Sequence, residues 1–167
     1  MHLRVDEGNL IPVRITCFTD ADFAGDRKDR KSVSAVVIMV NGATVRWHCK
    51  KQSAVAVSTA EAEFVAAAAG GQEVLGLKEL FSELGLQVKT PIVLAMDNQV
   101  AIKQIKNEAS SASAKHVDVK LKFLRDYATK EVVKPSFVKS HDMLADLLTK
   151  ALPAPRVVEL RLKVGLK

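Results

Sequence analysis

The chain has 167 residues, 48% of them apolar, and a formal net charge of +6, which indicates one globular domain whose basic surface is compatible with nucleic acid. Its two cysteines, Cys17 and Cys49, form no CxxC pair, which argues against structural zinc and favours a reducing compartment, with one disulfide as the alternative. No apolar run approaches the roughly 20 residues of a membrane span, and the N-terminus lacks a signal-peptide pattern, so we expect an intracellular protein.

Three strands are predicted in the first third of the chain. Residues 1–12 are weakly patterned and are assigned to an N-terminal extension or connection. The stretch "PVRITCFTD" alternates in polarity with the period of a strand. After a polar loop, residues 33–40 and 43–49 flank Asn41-Gly42, a dipeptide that favours a tight hairpin turn. We therefore expect an antiparallel meander at the start of the sheet.

Helices and strands alternate in the rest of the chain. Ser58 begins a long helix that ends near Gly85. Pro135 places the last strand at an edge of the sheet, because proline donates no ladder hydrogen bond. The other elements are a buried strand (91–96), a short helix (98–106), a flexible link (110–114), an amphipathic helix (117–130) with Val117, Leu121 and Leu124 on one side, the last strand (132–138) and a final helix (142–150). This order predicts a mixed sheet with helices on its faces.

Two glutamates stand close together at the start of the long helix, in "VSTAEAEFVAAAAGG". With Ser58 as N-cap, Glu61 has the spacing of a capping box and would accept from the backbone N–H of Ser58. Side chains two residues apart on a helix point in different directions, so capping by Glu61 does not explain the presence of Glu63. It is either a solvated acid on the outer face or a carboxylate aimed at a functional site.

Three further acids lie near the ends of predicted elements. Asp20 ends the first strand, Asp97 follows the strand "PIVLAM", and Asp146 lies within the last helix. Singly, they read as a turn former, a helix cap and an exposed acid. Together with Glu63 they can meet at one edge of the sheet, where hard cations such as Mg²⁺ or Mn²⁺ would neutralise their repulsion. Two such ions about 3.5–4 Å apart are the machinery of phosphodiester cleavage.

Six stretches of the chain carry a family resemblance. They are "TDADFAGDRKDRKSVS", "VRWHCKKQ", "STAEAEFVA", "MDNQVAIK", "AKHVDV" and "LADLLTKALP", in that order. In them the sequence resembles the ribonuclease H domain of copia-type LTR retrotransposon polyproteins. The resemblance implies a ribonuclease H-like α/β fold, a five-stranded mixed sheet flanked by helices. It also places a ribonuclease H domain at 13–153 and a C-terminal tail at 154–167.

The resemblance also implies the chemistry of the site. The catalytic and metal-binding acids of the family match Asp20, Glu63, Asp97 and Asp146. Asp22 is the rival for the first position, and Asp20 is preferred because it directly follows the predicted strand. The cofactor implied is a pair of Mg²⁺ ions, for which Mn²⁺ can substitute.

Several other residues receive an assisting or nucleic-acid-binding role. "VKSH" resembles the "VKGH" of cellular ribonucleases H, which makes His141 a candidate assisting residue; the alternative is a surface residue at a helix start. The candidate contacts to nucleic acid are Lys50, Lys51, Asn98, Gln99 and His116, and a further basic surface would come from Lys115, Lys120, Lys122, Arg125 and Lys130. Solvated lysines and helix-start packing are the alternatives for Lys50, Lys51 and His116. Trp47 is expected in the core rather than as a stacking platform.

The function implied is an endonuclease that hydrolyses the RNA strand of RNA–DNA hybrids during reverse transcription, beside a reverse transcriptase in the parent polyprotein. No membrane partner is expected, and the location would be element particles in the cytoplasm, or the nucleus. The alternatives are a non-catalytic hybrid-binding module, an integrase-like or resolvase-like enzyme of the same superfold, and a domesticated interaction scaffold.

Overall fold

The computed structural model describes residues 11–106 and 115–166. The strands are β1 (Ile15–Asp22), β2 (Val33–Val40), β3 (Ala43–Lys51), β4 (Ile92–Met96) and β5 (Val133–Phe137). The helices are α1 (Thr59–Glu83), α2 (Gln99–Lys106), α3 (Lys115–Thr129), α4 (Asp146–Thr149) and α5 (Ala154–Lys163), and a 3₁₀ turn covers Ser140–Asp142. Within these described residues, no helix combines the length and apolar character needed to cross a membrane.

The five strands form one mixed sheet in the order β3-β2-β1-β4-β5. The pairs β1–β2 and β2–β3 are antiparallel, whereas β1–β4 and β4–β5 are parallel. Asn41 and Gly42 make the β2–β3 turn with φ of 51° and 86°, the positive values that a tight hairpin turn requires. Pro135 lies in β5 at the edge of the sheet. The predicted meander, turn and edge strand are confirmed.

Helices cover both faces of the sheet. One apolar cluster joins β1, β2 and β4 to α1, α2 and α3, with Phe64, Leu94 and Leu124 fully or almost fully buried. A smaller cluster on the opposite face joins β2 to the chain around α4 and to α5, through Val37, Met143 and Leu160 among others. Burial of these side chains supplies the main stabilisation, at about 1.5–3 kcal/mol for each large one. The sheet is therefore held rigidly between two helical layers.

Helix α1 packs very closely on the centre of the sheet. Its buried face is built from alanines and glycines, and a Cβ added at Gly70 would lie 2.6 Å from Thr19 Cγ2 and 2.8 Å from Cys17 Sγ. No side chain fits in that space, so the glycine sets the distance between the helix and β1. The run of small residues thus brings the N-terminal turns of α1 against the strand that carries Asp20.

Some predicted boundaries are wrong. Strand β1 continues to Asp22, so Asp20 lies inside it rather than directly after it. The predicted helix at 142–150 is reduced to α4, because the backbone of Met143 is extended (φ −73°, ψ 103°) and residues 143–145 are buried against the sheet. The link at 110–114 and the side chain of Val117 lie outside the described residues.

Two further predictions concern the C-terminal tail and Trp47. The predicted tail contains α5, in which Leu160 is buried against Met143 and Leu144; the proposed domain limits at 13–153 stay a prediction. The expectation that Trp47 lies in the core is wrong, because its side chain is 61% exposed. Strand β3 is an edge strand with mostly exposed residues, and α4 packs more against β2 and β1 than against β3, so the described residues leave most of the indole uncovered.

Candidate active site

Two of the predicted acids lie near the carboxyl ends of neighbouring parallel strands, Asp20 inside β1 and Asp97 directly after β4. The β1–β4 register pairs Phe18 with Ala95, and continuing it by two residues places Asp20 opposite Asp97. Asp20 shares a face of β1 with Phe18, which packs against the α4–α5 layer. The Asp20 side chain is 1% exposed and that of Asp97 is 14% exposed. The carboxyl end of the central strand pair therefore presents two largely buried carboxylates.

Glu63 reaches the same place from α1. The helix begins as predicted, with the Ser58 hydroxyl accepting from the Glu61 N–H at 3.1 Å. Glu61 Oε2 accepts from the N–H of Val57 at 3.1 Å, one residue before the expected donor Ser58. Glu63 is buried, and its Oε1 accepts from the N–H of Ala21 at 3.3 Å. Glu61 is thus a capping residue, whereas Glu63 is directed into the site.

Asp146 approaches from the opposite layer, at the first residue of α4. It is buried, and its Oδ1 accepts from Lys150 Nζ at 2.6 Å, one helical turn later. The neighbouring Thr149 donates its hydroxyl to Asp20 Oδ2. The short α4 therefore contributes one acid and one hydroxyl to the same cluster, and the residue that follows it contributes an ammonium.

The acids form a compact group. One oxygen each from Asp20, Glu63 and Asp97 lies within 4.8 Å of the others. Asp146 is outside this triad, but Lys150 links it to the others, with Nζ 3.4 Å from Asp20 Oδ1 and 3.7 Å from Asp97 Oδ2. All four predicted acids thus lie at one end of the sheet. Three of them are close to one another, and the fourth, Asp146, is linked to Asp20 and Asp97 by the ammonium of Lys150.

The cluster is electrostatically strained in the absence of cations. Burial, together with the charges of Asp20 and Asp97, raises the pKa of Glu63 to about 9. Burial also raises the pKa of Asp146, although the hydrogen bond from Lys150 opposes that shift. For Lys150, burial alone would lower the pKa, but the hydrogen bond to Asp146 and the charges of Asp20, Asp146 and Asp97 raise it. The site strongly favours added positive charge.

The donor set fits hard divalent cations. Asp20 Oδ1 and Glu63 Oε2 are buried and have no hydrogen-bond partner, an arrangement that a protein ordinarily avoids. Both are carboxylate oxygens, and no sulfur or imidazole belongs to the acidic triad. Such oxygen-only groups suit Mg²⁺ or Mn²⁺ better than zinc. A bound cation would give both oxygens a partner and would oppose the burial and the charge repulsion that together raise the pKa of Glu63.

The predicted nucleic-acid contacts have varied surroundings. Asn98 caps α2, since its Oδ1 accepts from the N–H groups of Val100 and Ala101, both at 3.0 Å. Gln99 is exposed and follows Asp97 by two residues. Lys51 is held by Asp26 at 2.5 Å and Asp29 at 2.8 Å. The nucleic-acid-binding roles given to Asn98, Gln99 and Lys51 stay predictions.

Lys50 and the two histidines complete the predicted set. Lys50 is exposed and lines a cavity of about 220 Å³ together with Gln52, Glu61 and Lys120. His141 is exposed in the 3₁₀ turn, where its Nε2 lies 3.1 Å from Asp142 Oδ2. Its neighbour Ser140 donates to Asp97 Oδ2 at 3.4 Å, so this turn borders the acids. The side chain of His116 lies outside the described residues.

Three residues that the sequence analysis did not single out also shape the site. Thr149 and Lys150 follow Asp146 in "LADLLTK", and the spacing of Asp146 and Lys150 was a visible signal for an i,i+4 ion pair. Gln52 is buried and donates to Ser34 Oγ at 2.8 Å and to Ala62 O at 2.9 Å. It ties β2 to the turn of α1 that carries Glu63, and no sequence pattern marks that role.

Comparisons with known proteins agree with this geometry. No family model matches the sequence. The chain is 39% identical over 136 residues to the retrovirus-related Pol polyprotein from transposon TNT 1-94 of Nicotiana tabacum, and 30% identical over 159 residues to that from transposon RE1 of Arabidopsis thaliana. These matches cover 81% and 95% of the chain but only 10% and 11% of the polyproteins, so the chain spans about a tenth of these relatives. The predicted relationship to copia-type Pol polyproteins is confirmed.

Solved structures establish the fold. The N-terminal RNase H domain of Rv2228c from Mycobacterium tuberculosis superposes with a TM-score of 0.59 at 12% identity, covering 88% of this chain and 98% of that one. LC11-RNase H1 in complex with an RNA/DNA hybrid gives 0.56 at 16% identity, covering 81% and 93%. The foamy viral protease-reverse transcriptase in complex with an RNA/DNA hybrid gives 0.58 at 11% identity, covering 89% and 21%. The chain has the predicted ribonuclease H fold.

Proposed function

We propose that the chain is a ribonuclease H domain that hydrolyses the RNA strand of RNA–DNA hybrids with two divalent cations. The single observation that carries the proposal is that one oxygen each from Asp20, Glu63 and Asp97 lies within 4.8 Å of the others, while Asp20 Oδ1 and Glu63 Oε2 are buried without a hydrogen-bond partner. The ribonuclease H fold and the relationship to transposon Pol polyproteins support a nuclease acting on such hybrids.

In this proposal the four acids hold the cations from three sides. Asp20 would bind from inside β1, Asp97 from the end of β4, Glu63 from α1 and Asp146 from α4. When bound there, Mg²⁺ or Mn²⁺ would supply activation of an attacking water and positive charge for the leaving oxygen of the phosphodiester. Glu63 has to give up its proton when cations bind, because its raised pKa keeps it protonated at neutral pH without them.

Neighbouring groups fix the acids before the substrate arrives. The Thr149 hydroxyl holds Asp20, and the Ser140 hydroxyl holds Asp97. The Glu63 carboxylate is held by the N–H of Ala21, on the strand that carries Asp20. Because β1 is central in the sheet and α1 is packed against it, these acids are presented with little freedom, as catalysis by positioned charges requires.

The proposed partners are the RNA–DNA hybrid and a reverse transcriptase in the same polyprotein. The Pol polyproteins that the chain resembles are about ten times longer than the matched segment. The foamy viral structure is named as a protease-reverse transcriptase bound to an RNA/DNA hybrid. These observations support an adjacent polymerase, which would supply additional hybrid-binding surface.

A cleavage assay tests the proposal. A hybrid labelled on each strand is incubated with Mg²⁺ or Mn²⁺ and with wild type, Asp97→Asn or Asp126→Asn. Asp126 is an exposed aspartate that pairs with Lys130, so its variant controls for the same chemical change outside the site. We expect metal-dependent cleavage of the RNA strand only, reduced about 100-fold or more by Asp97→Asn and unchanged by Asp126→Asn.

Other outcomes have defined meanings. Hybrid binding without cleavage, also when the reverse transcriptase segment is present, would identify a non-catalytic binding module. Equal cleavage of duplex DNA would indicate another nuclease of the same fold. Cleavage that Asp97→Asn leaves intact would contradict the assigned site.

A further inference from the structure

Lys150 lies where a positive charge is most needed. Its Nζ is 2.6 Å from Asp146 Oδ1, 3.4 Å from Asp20 Oδ1 and 3.7 Å from Asp97 Oδ2. One ammonium therefore contacts an oxygen from each of three acids, which lie in β1, directly after β4 and in α4. A surface ion pair within one helix would involve Asp146 alone.

The ammonium uses oxygens that the proposed cations need. Asp20 Oδ1 is buried without a hydrogen-bond partner, so its favourable contact with Lys150 is an electrostatic one. Mg²⁺ binds carboxylate oxygens at about 2.0–2.1 Å. A divalent ion on Asp20 Oδ1 and the ammonium in its present position would thus lie within about 5.5 Å of each other and repel strongly in a largely buried site.

The side chain of Lys150 has room to leave. It is 40% exposed, whereas those of Asp20 and Asp146 are 1% and 7% exposed. Lys150 follows the last residue of α4, and its long flexible stem lets the ammonium move into solvent without displacing the helix. The lysine therefore covers the acids from the solvent side.

We infer that Lys150 is a built-in counter-cation, which neutralises the acidic cluster in the metal-free protein and withdraws when divalent cations bind. This inference rests on the proposed metal-dependent function and deepens it. By linkage, whatever stabilisation the ammonium gives the metal-free state is subtracted from the affinity for the metal. Lys150 would thus lower the affinity for the metal while stabilising the folded protein when no metal is bound.

The test compares four variants without nucleic acid. Lys150→Met and Lys150→Gln remove the charge, and Lys150→Arg keeps it. Lys130→Met is the matched control, because Lys130 forms the same i,i+4 pair with Asp126, at 2.7 Å, away from the site. Thermal unfolding is measured in EDTA and in saturating Mg²⁺, and Mg²⁺ affinity is measured by calorimetry.

We expect the two neutral variants to melt about 3 °C or more below wild type in EDTA and to lose that deficit in saturating Mg²⁺. Their Mg²⁺ affinity should be about threefold or more tighter than that of wild type. Lys150→Arg and Lys130→Met should leave Mg²⁺ affinity unchanged. Equal destabilisation with and without Mg²⁺, and unchanged affinity, would overturn the inference.

A wild-type measurement keeps the test independent of variant folding. The ¹⁵Nζ resonance of Lys150, assigned by its loss in Lys150→Arg, should shift as Mg²⁺ saturates the site, while that of Lys130 stays constant. A stationary Lys150 resonance in protein that binds Mg²⁺ overturns the inference alone. Absence of Mg²⁺ and Mn²⁺ binding by wild type would overturn the proposed function as well.

Discussion

Glu61 and Glu63 lie two residues apart in α1 and have different roles. The Glu61 carboxylate accepts from the N–H of Val57 and closes the first turn of the helix. The Glu63 carboxylate is buried beside Asp20 and Asp97 and has one oxygen without a hydrogen-bond partner. Glu61 therefore caps the helix, whereas Glu63 belongs to the proposed active site.

This pair provides a controlled experiment. Glu63→Gln should weaken Mg²⁺ binding about tenfold or more and abolish hybrid cleavage, because it removes a charged oxygen from the cluster. Glu61→Gln makes the same chemical change, and glutamine also serves in a capping box, so cleavage should be unchanged. Equal losses in both variants, measured by calorimetry and by the cleavage assay, would contradict the division of roles.

Stability of the metal-free protein should fall as the pH rises. The pKa of Glu63 is raised from 4.5 to about 9, so between these values the unfolded chain is ionised while the folded protein keeps the proton. The folded state then binds more protons, and this group lowers the free energy of unfolding by up to about 1.4 kcal/mol per pH unit. Below pH 4.5 its contribution is constant.

Urea unfolding in EDTA at several pH values measures this slope. Glu63→Gln should flatten it, since glutamine does not titrate, while Glu61→Gln should keep it. Saturating Mg²⁺ should also reduce the slope in wild type, because cations stabilise the ionised carboxylate. A slope that Glu63→Gln leaves intact would assign the effect to another group.

Thr149 should act as a positioning residue. Its hydroxyl donates to Asp20 Oδ2 and orients the most deeply buried acid of the site. Thr149→Val keeps the shape and removes the donor, and we expect about a tenfold loss in metal affinity. Thr149→Ser retains the hydroxyl and should restore most of that affinity. Calorimetric titration with Mg²⁺ makes the comparison, and equal affinities for Val and Ser would refute the role.

The glycines of α1 should differ sharply in their tolerance of alanine. Gly70→Ala places a Cβ 2.6 Å from Thr19 and 2.8 Å from Cys17, so the free energy of unfolding should fall by about 1–3 kcal/mol. At Gly76 an added Cβ meets nothing within 4 Å, so Gly76→Ala should stabilise the helix by about 0.5–1 kcal/mol. Chemical denaturation of both variants measures the contrast. Similar effects would mean that α1 does not pack as closely as described.

Local signals were sufficient for much of the fold. The alternation in β1, the Asn41-Gly42 turn and the Ser58 cap act over a few residues, and each has a direct physical consequence for the backbone. They fixed the order of the elements and the mixed sheet. They did not fix the short α4, because burial of residues 143–145 against the sheet overrides their helical pattern. Nor did they show that Trp47 lies on an uncovered edge strand.

The candidate site was likewise only partly predictable from the sequence. The positions of the acids near the ends of predicted elements, the capping argument for Glu63 and the family motifs were enough to group the four acids. How these acids meet depends on tertiary contacts: the parallel register sets Asp20 opposite Asp97, and α4 brings Thr149 to Asp20 across 129 positions of chain. Tertiary contacts alone place the Lys150 ammonium among three acids. Contacts between distant segments depend on how whole layers pack, and no local pattern encodes those distances.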